Sequence, residues 1–98
     1  MTDVVWSPEA LRDLEAIRDY IARDSAAYAD LVVRRIVAAV ERLRVFPESG
    51  RVVPERSDPS IREVIVRPYR VVYRLHDGSV QIVTVFRASR LFAQPTED

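Results

Sequence analysis

The chain has 98 residues, no cysteine, one histidine, and fifteen basic against fifteen acidic residues, so its formal charge is zero. These counts exclude a disulfide scaffold and a thiolate metal site, and they argue against a His-based zinc centre. Balanced charge also argues against a general nucleic-acid coat, whose affinity rests on many phosphate contacts.

No apolar run approaches the roughly 20 residues of a membrane span, and the first residues show no signal-peptide pattern. The expectation is one cytoplasmic domain over 1–98, with its core at about 4–91 and a frayed tail at 92–98. Charge is unevenly spread: residues 1–50 hold seven arginines and nine acids, residues 51–98 eight arginines and six acids. All fifteen basic residues are arginine. Arginine stays protonated in proteins, so no side chain here can work as a lysine-type general base.

Asp3 to Trp6 reads as a short strand. Ser7-Pro8-Glu9 is a helix start: a hydroxyl to cap free N–H groups, proline at the first helical position, and an acid at the positive end of the dipole. Leu11, Leu14, Ile17 and Ile21 then recur at helical spacing beside Ala10. Asp24-Ser25 breaks that pattern and can cap a second helix, whose apolar stripe is Tyr28, Val32, Ile36, Ala39, Val40 and Leu43. Pro47 and Gly50 end it. The short connection predicts an antiparallel helix hairpin. Residues 51–60, with Pro54 and Pro59, read as a loop.

The segment 61–90 is the most patterned. Three runs rich in β-branched and aromatic residues are separated by Arg67-Pro68 and Asp77-Gly78, the sequence form of a three-strand antiparallel meander. On the middle run Tyr69, Val71, Tyr73 and Leu75 alternate with Arg70, Val72 and Arg74. On the last, Val80, Ile82, Thr84 and Phe86 alternate with Gln81, Val83, Val85 and Arg87. The expected class is α+β: a small sheet with a helix hairpin on one face. The same segment carries six arginines against two acids. That marks either a solvated face or a surface for an anionic partner.

The order strand, helix hairpin, Phe46-Pro47-x-x-Gly50-Arg51, Ile61-Arg62-Glu63, Tyr69-Arg70-x-x-Tyr73 and Val85-x-x-x-x-Arg90 resembles the RelE/ParE superfamily, toxins of bacterial type II toxin–antitoxin pairs. The resemblance covers about residues 4–91. It implies one of two activities. RelE-like members cut messenger RNA in the ribosome; ParE-like members are not nucleases and poison DNA gyrase. RNA cleavage through the 2′-hydroxyl needs a base, positive charge on the phosphate and an acid for the leaving oxygen. Arg70 and Arg90 match basic positions of the family. The lysines of RelE-like enzymes are replaced by Ile61 and Glu63, and no tyrosine follows Tyr73. Glu55 or Glu63 would have to serve as base, although a surface or ion-pair role is the plainer reading of both. His76 reads as a turn residue.

The resemblance therefore points to a ParE-like toxin that arrests growth by binding gyrase, with no catalytic residues, metal or cofactor of its own. The alternatives are a RelE-like ribosome-dependent endonuclease and a degenerate toxin that only binds its antitoxin and helps repress their operon. The functional surface is expected at Arg51, Arg62, Arg70, Arg87 and Arg90; the plainer reading of Arg51 is a cap on the second helix's carbonyls. A ParD-like antitoxin, disordered alone and ordering on contact, is the implied partner in a hetero-oligomer. Leu31, Val33, Val37 and Arg74 are its expected contacts. No membrane and no sequence-specific nucleic acid is expected as a partner.

Overall fold

The computed structural model describes residues 1–92. In chain order it has β1 (Asp3–Trp6), α1 (Pro8–Ala22), α2 (Ala26–Glu41) with a 3₁₀ turn at Arg42–Arg44, then β2 (Arg51–Val52), β3 (Ile61–Val66), β4 (Tyr69–His76) and β5 (Ser79–Arg87). The strands form one sheet in the order β1-β5-β4-β3-β2. The predicted meander is its centre, antiparallel throughout. β1 closes one edge by pairing parallel to β5, Val4 beside Val80 and Trp6 beside Ile82.

Both helix starts form as the sequence indicates. Ser7 Oγ accepts the Ala10 N–H at 3.0 Å with Pro8 at the first helical position. Ser25 Oγ accepts the Tyr28 N–H at 3.0 Å. The β4–β5 turn at Asp77-Gly78 has φ of 49° and 75°, the positive pair a two-residue hairpin needs. The Arg67-Pro68 bond in the β3–β4 turn is cis.

The helices cover one face of the sheet. Their contribution to the core is Ala10, Val32, Ile36, Val40 and Leu43, against Tyr69, Val71, Tyr73, Val80, Ile82 and Val85. Each fully buried aliphatic side chain of this kind contributes about 1.5–3 kcal/mol. Leu11 and Tyr28, expected in the stripes, are about half exposed. The smaller Ala10 and Ala29 are buried instead, each without exposed surface.

Three expectations are corrected. The loop at 51–60 begins with a two-residue strand, Arg51 opposite Glu63 and Val52 opposite Arg62, too short to show any periodicity. The alternation along β5 fails at Val83. Val72 pairs with Thr84 but Tyr73 pairs with Ile82, so Val83 is an extra residue in the ladder. Beyond it the faces exchange: Val85, not Phe86, joins the helix-side core, and Phe86 turns to the outer face. Finally Phe92, expected to begin the frayed tail, is buried on the outer face beside Phe86, ring centroids 6.2 Å apart. The rest of that tail, 93–98, lies outside the described residues.

Candidate functional site

The outer face of the sheet holds a second, smaller core of Val53, Ile61, Val72, Phe86 and Phe92. Beside it lies a chain of charges. Strand alternation sends Arg70, Val72 and Arg74 of β4 away from the helices. The register sets Glu63 of β3 between Arg51 of β2 and the diagonal neighbour Arg70. Glu63 Oε1 accepts from Arg70 Nε and Glu63 Oε2 from Arg51 Nε, both at 2.6 Å. Arg51 therefore pairs with a β3 carboxylate and does not cap α2.

The guanidinium fork of Arg70 meets the carboxylate of Glu55 through two parallel bonds, both 2.8 Å. Arg70 Nη1 also donates to the carbonyl of Arg90 at 2.8 Å. Its guanidinium lies 5.0 Å from the centroid of the Phe86 ring. Four of the five N–H donors an arginine carries thus have protein acceptors. The other Glu55 bond is from the Phe92 N–H, at 2.9 Å. The result is a strap: residues 90–92 are tied to the sheet by Arg70 and Glu55, with the Phe92 ring stacked on Phe86.

The network is largely removed from water. Arg70 is 5% exposed and Glu63 is 1% exposed. Hydrogen bonding from Arg70, helped by the Phe92 N–H, lowers the Glu55 carboxyl to a pKa of about 2 against partial desolvation. The Arg70 guanidinium is raised, chiefly by Glu55 and then by Glu63. In so dry a site, removing one partner leaves an uncompensated charge and costs about 3–5 kcal/mol.

The five arginines expected on one functional surface are divided by the fold. Arg51, Arg70 and Arg90 border a common groove of about 550 Å³, together with Arg67, Ile65 and Leu91. Arg70 is the groove's ion-paired floor. Arg62 belongs to the other face, opposite Tyr73. It donates to the carbonyls of Pro59, Glu48 and Gly50 at 2.9, 3.2 and 2.9 Å, so it fastens two loops. Arg87 also lies toward the helices, in a shallow pocket with Ile17, Tyr20 and Tyr69.

Of the expected antitoxin contacts, Val33 and Val37 are one turn apart on one side of α2, half-buried and 36% exposed respectively. Leu31 falls on a different side of the same helix, since two residues rotate the direction by about 200°. Arg74 is half-buried on β4, opposite Ile61 and Gln81.

Other groups with acid–base potential are engaged or remote. Tyr73 Oη donates to the Pro47 carbonyl at 2.8 Å and accepts the Gly50 N–H at 3.0 Å. Burial raises its pKa. A Cβ at Gly50 would stand 2.5 Å from that hydroxyl, which explains why this loop carries glycine. His76, expected in the turn, is the exposed last residue of β4, paired with Ser79 and 3.2 Å from Asp77. Among the described residues no group of acids and histidine could hold a metal ion, and no helix is long and apolar enough to cross a membrane.

The family model of the ParE toxin of type II toxin–antitoxin systems matches residues 4–92. The chain belongs to that family. It is 41% identical over 92 residues to Toxin RelE2 of Caulobacter vibrioides, covering 93% of this chain and all of that one. It is 34% identical over 76 residues to Toxin ParE3 of the same organism, covering 74% of this chain and 73% of the relative. A solved structure from the chromosomal ParDE toxin–antitoxin system of P. aeruginosa superposes with a TM-score of 0.74 at 27% identity, over 89% of this chain and 96% of that one. The RelBE2 toxin–antitoxin complex of Mycobacterium tuberculosis shares the fold, with a TM-score of 0.63 at 21% identity over 88% and 96% of the two chains. The protein is thus a type II toxin of the RelE/ParE superfamily, and the α+β architecture read from its sequence is that of its relatives.

Two features of the toxin's site were not foreseen. No local pattern joins Glu55 to Arg70 or Phe92 to Glu55, since those partners are 15 and 37 residues apart. The one available signal was that an acid-poor, arginine-rich segment would draw in the nearest loop carboxylate.

Proposed function

We propose that this toxin inhibits DNA gyrase by binding it, without a catalytic step of its own, and that a ParD-like antitoxin neutralises it in the cytoplasm. The observation that carries the reading is the state of Arg70. A nuclease of this superfamily needs positive charge held open for a phosphate. Here the family arginine is engaged by two carboxylates and a carbonyl. An incoming phosphate would have to displace Glu55 and lie beside Glu63, adding negative charge where the protein already supplies it. The only tyrosine hydroxyl bonded within this sheet, that of Tyr73 among the described residues, is buried between Pro47 and Gly50. It has no free path to a leaving group.

A binding inhibitor asks only for a rigid scaffold and exposed surfaces. The ion-paired outer face gives rigidity, and Val33 and Val37 on α2 give the antitoxin an apolar ridge. Its acidic segments would meet arginine at the sheet. Purified toxin added to gyrase and relaxed plasmid is expected to block supercoiling or accumulate cleaved DNA. Addition of the partner encoded beside it is expected to restore supercoiling. Unchanged supercoiling, together with cutting of ribosome-bound message, would contradict the proposal.

A further inference from the structure

The groove on the outer face has a charge pattern that does not follow from the ion-pair network alone. Four arginines meet at its rim and floor, Arg51, Arg67, Arg70 and Arg90, with Glu55 and Glu63 to balance them. Both carboxylates are fully engaged. The oxygens of Glu63 are taken by Arg51 and Arg70, those of Glu55 by Arg70 and the Phe92 N–H. The surplus positive charge therefore appears at the rim. Arg51 offers a side chain 62% exposed whose terminal nitrogens have no acceptor among the described residues. Arg67 and Arg90 are exposed and have no ion pair among the described residues.

Between these cations lie two apolar side chains, Ile65, 37% exposed, and Leu91, 78% exposed. Leu91 is held out by the strap, because its neighbours Arg90 and Phe92 are bonded to Arg70 and Glu55 through their backbones. An exposed leucine between two anchored residues is a preorganised contact.

We infer that this groove is the docking site for an acidic, extended segment of the protein the toxin inhibits. The segment would place carboxylates against Arg51, Arg67 and Arg90 and an aliphatic side chain on Ile65 and Leu91. This rests on the proposed function, and it names the face through which the target is gripped. A protein segment fits better than a nucleic acid. The groove's surplus is two positive charges, its volume is about 550 Å³, and the chain as a whole is neutral, whereas phosphate-tracking surfaces combine many cations. The segment's carboxylates would reach the rim cations from outside and leave Arg70 to Glu55 and Glu63. Glu55 is a positioning residue in this scheme: it orders the strap that presents Leu91.

The test uses Arg67→Glu/Arg90→Glu, which leaves the backbone bonds of the strap in place, and Leu91→Ala. Arg12→Glu, on the exposed surface of α1, is the control. Supercoiling inhibition by gyrase titration is the first readout. The double charge reversal is expected to raise the half-inhibitory concentration at least about tenfold, with a smaller rise for Leu91→Ala and none for the control. Circular dichroism melts confirm that each variant is folded. The second readout is NMR chemical-shift mapping of the wild type with a synthetic Asp-Leu-Glu-Leu-Asp peptide, expected to move the Arg51, Ile65, Arg67 and Leu91 amides and not those of α2.

Folded double variants that inhibit as well as the wild type would overturn the inference and leave the proposed function standing. Micromolar binding of short duplex DNA or RNA that the double variant loses would overturn it in favour of a nucleic-acid groove. A wild type that fails to inhibit gyrase while the peptide still maps to the groove would sink the proposed function and leave the groove's preference for acidic segments in place.

Discussion

The two faces of the sheet solve the same problem by different chemistry. The helix side is closed by apolar packing of Ile36, Val40 and Leu43 on Tyr73, Val71 and Ile82. Among the described residues no helix lies over the outer side. It closes a smaller apolar cluster with a strap, and it holds that strap with Arg70, Glu63 and Glu55. Apolar packing is indifferent to pH and tolerant of volume-conserving change. A buried ionic network is neither, because each member relies on the charge of the next. Both sides therefore contribute to stability, the helix side independently of pH and the outer side through charges that must all be present.

Breaking the outer network should have the largest effect. Arg70→Ala leaves Glu63 buried with only Arg51 and frees the strap; the expected loss is about 3–5 kcal/mol in urea unfolding. Replacing Arg70 by Met, which keeps volume but no charge, is expected to be nearly as harmful while both glutamates remain. On the helix side, Ile36→Ala opens a cavity at a residue with no exposed surface and should cost about 2–5 kcal/mol, with the lower half expected because Val32 and Val40 can shift inward.

The two faces should also part company in acid. The Glu55 pKa is lowered from 4.5 to about 2 in the folded chain. A depressed folded pKa adds stability that is fully present above pH 4.5 and is lost as pH falls toward 2. Glu55→Gln should therefore lower stability at neutral pH by at most about 3 kcal/mol and flatten the acid limb of the stability curve over that window. Ile36→Ala should shift the whole curve without changing its shape. The smallest expected effect is at the helix hairpin's surface. Arg18 and Asp30, paired at 3.1 Å and about half exposed, should each change stability by less than about 1 kcal/mol on replacement by Ala.

Much of the helix side was legible because its signals are local. Ser7-Pro8, Ser25 and Asp77-Gly78 specify caps and a turn within a few residues, and the alternation Tyr69, Val71, Tyr73 names the buried side of β4. The order of short motifs from Phe46 to Arg90 then carried the superfamily. The outer side was less legible because its contacts join distant segments. Both sets of alternate residues in β5 are largely apolar, so nothing local revealed that Val83 is extra and that Phe86 changes face. Arg62 and Arg70 look alike in sequence. Only the β3–β4 register shows that one fastens loops near the helices and the other lies in the opposite face. The reach of Glu55 to Phe92 depends on a bend in the 51–60 loop that no periodicity encodes.

The central claim is that the family arginine is held by the protein's own carboxylates and is not open to a phosphate. It is tested most directly by following the side-chain carboxyl ¹³C resonance of Glu55 through an acid titration. The expected midpoint is about 2, moving up toward the ordinary glutamate value when Arg70 is replaced by Met. A midpoint near 4.5 in the unmodified protein, unchanged by that substitution, would mean that Arg70 is free, and the reading of this toxin as a binder would lose its support.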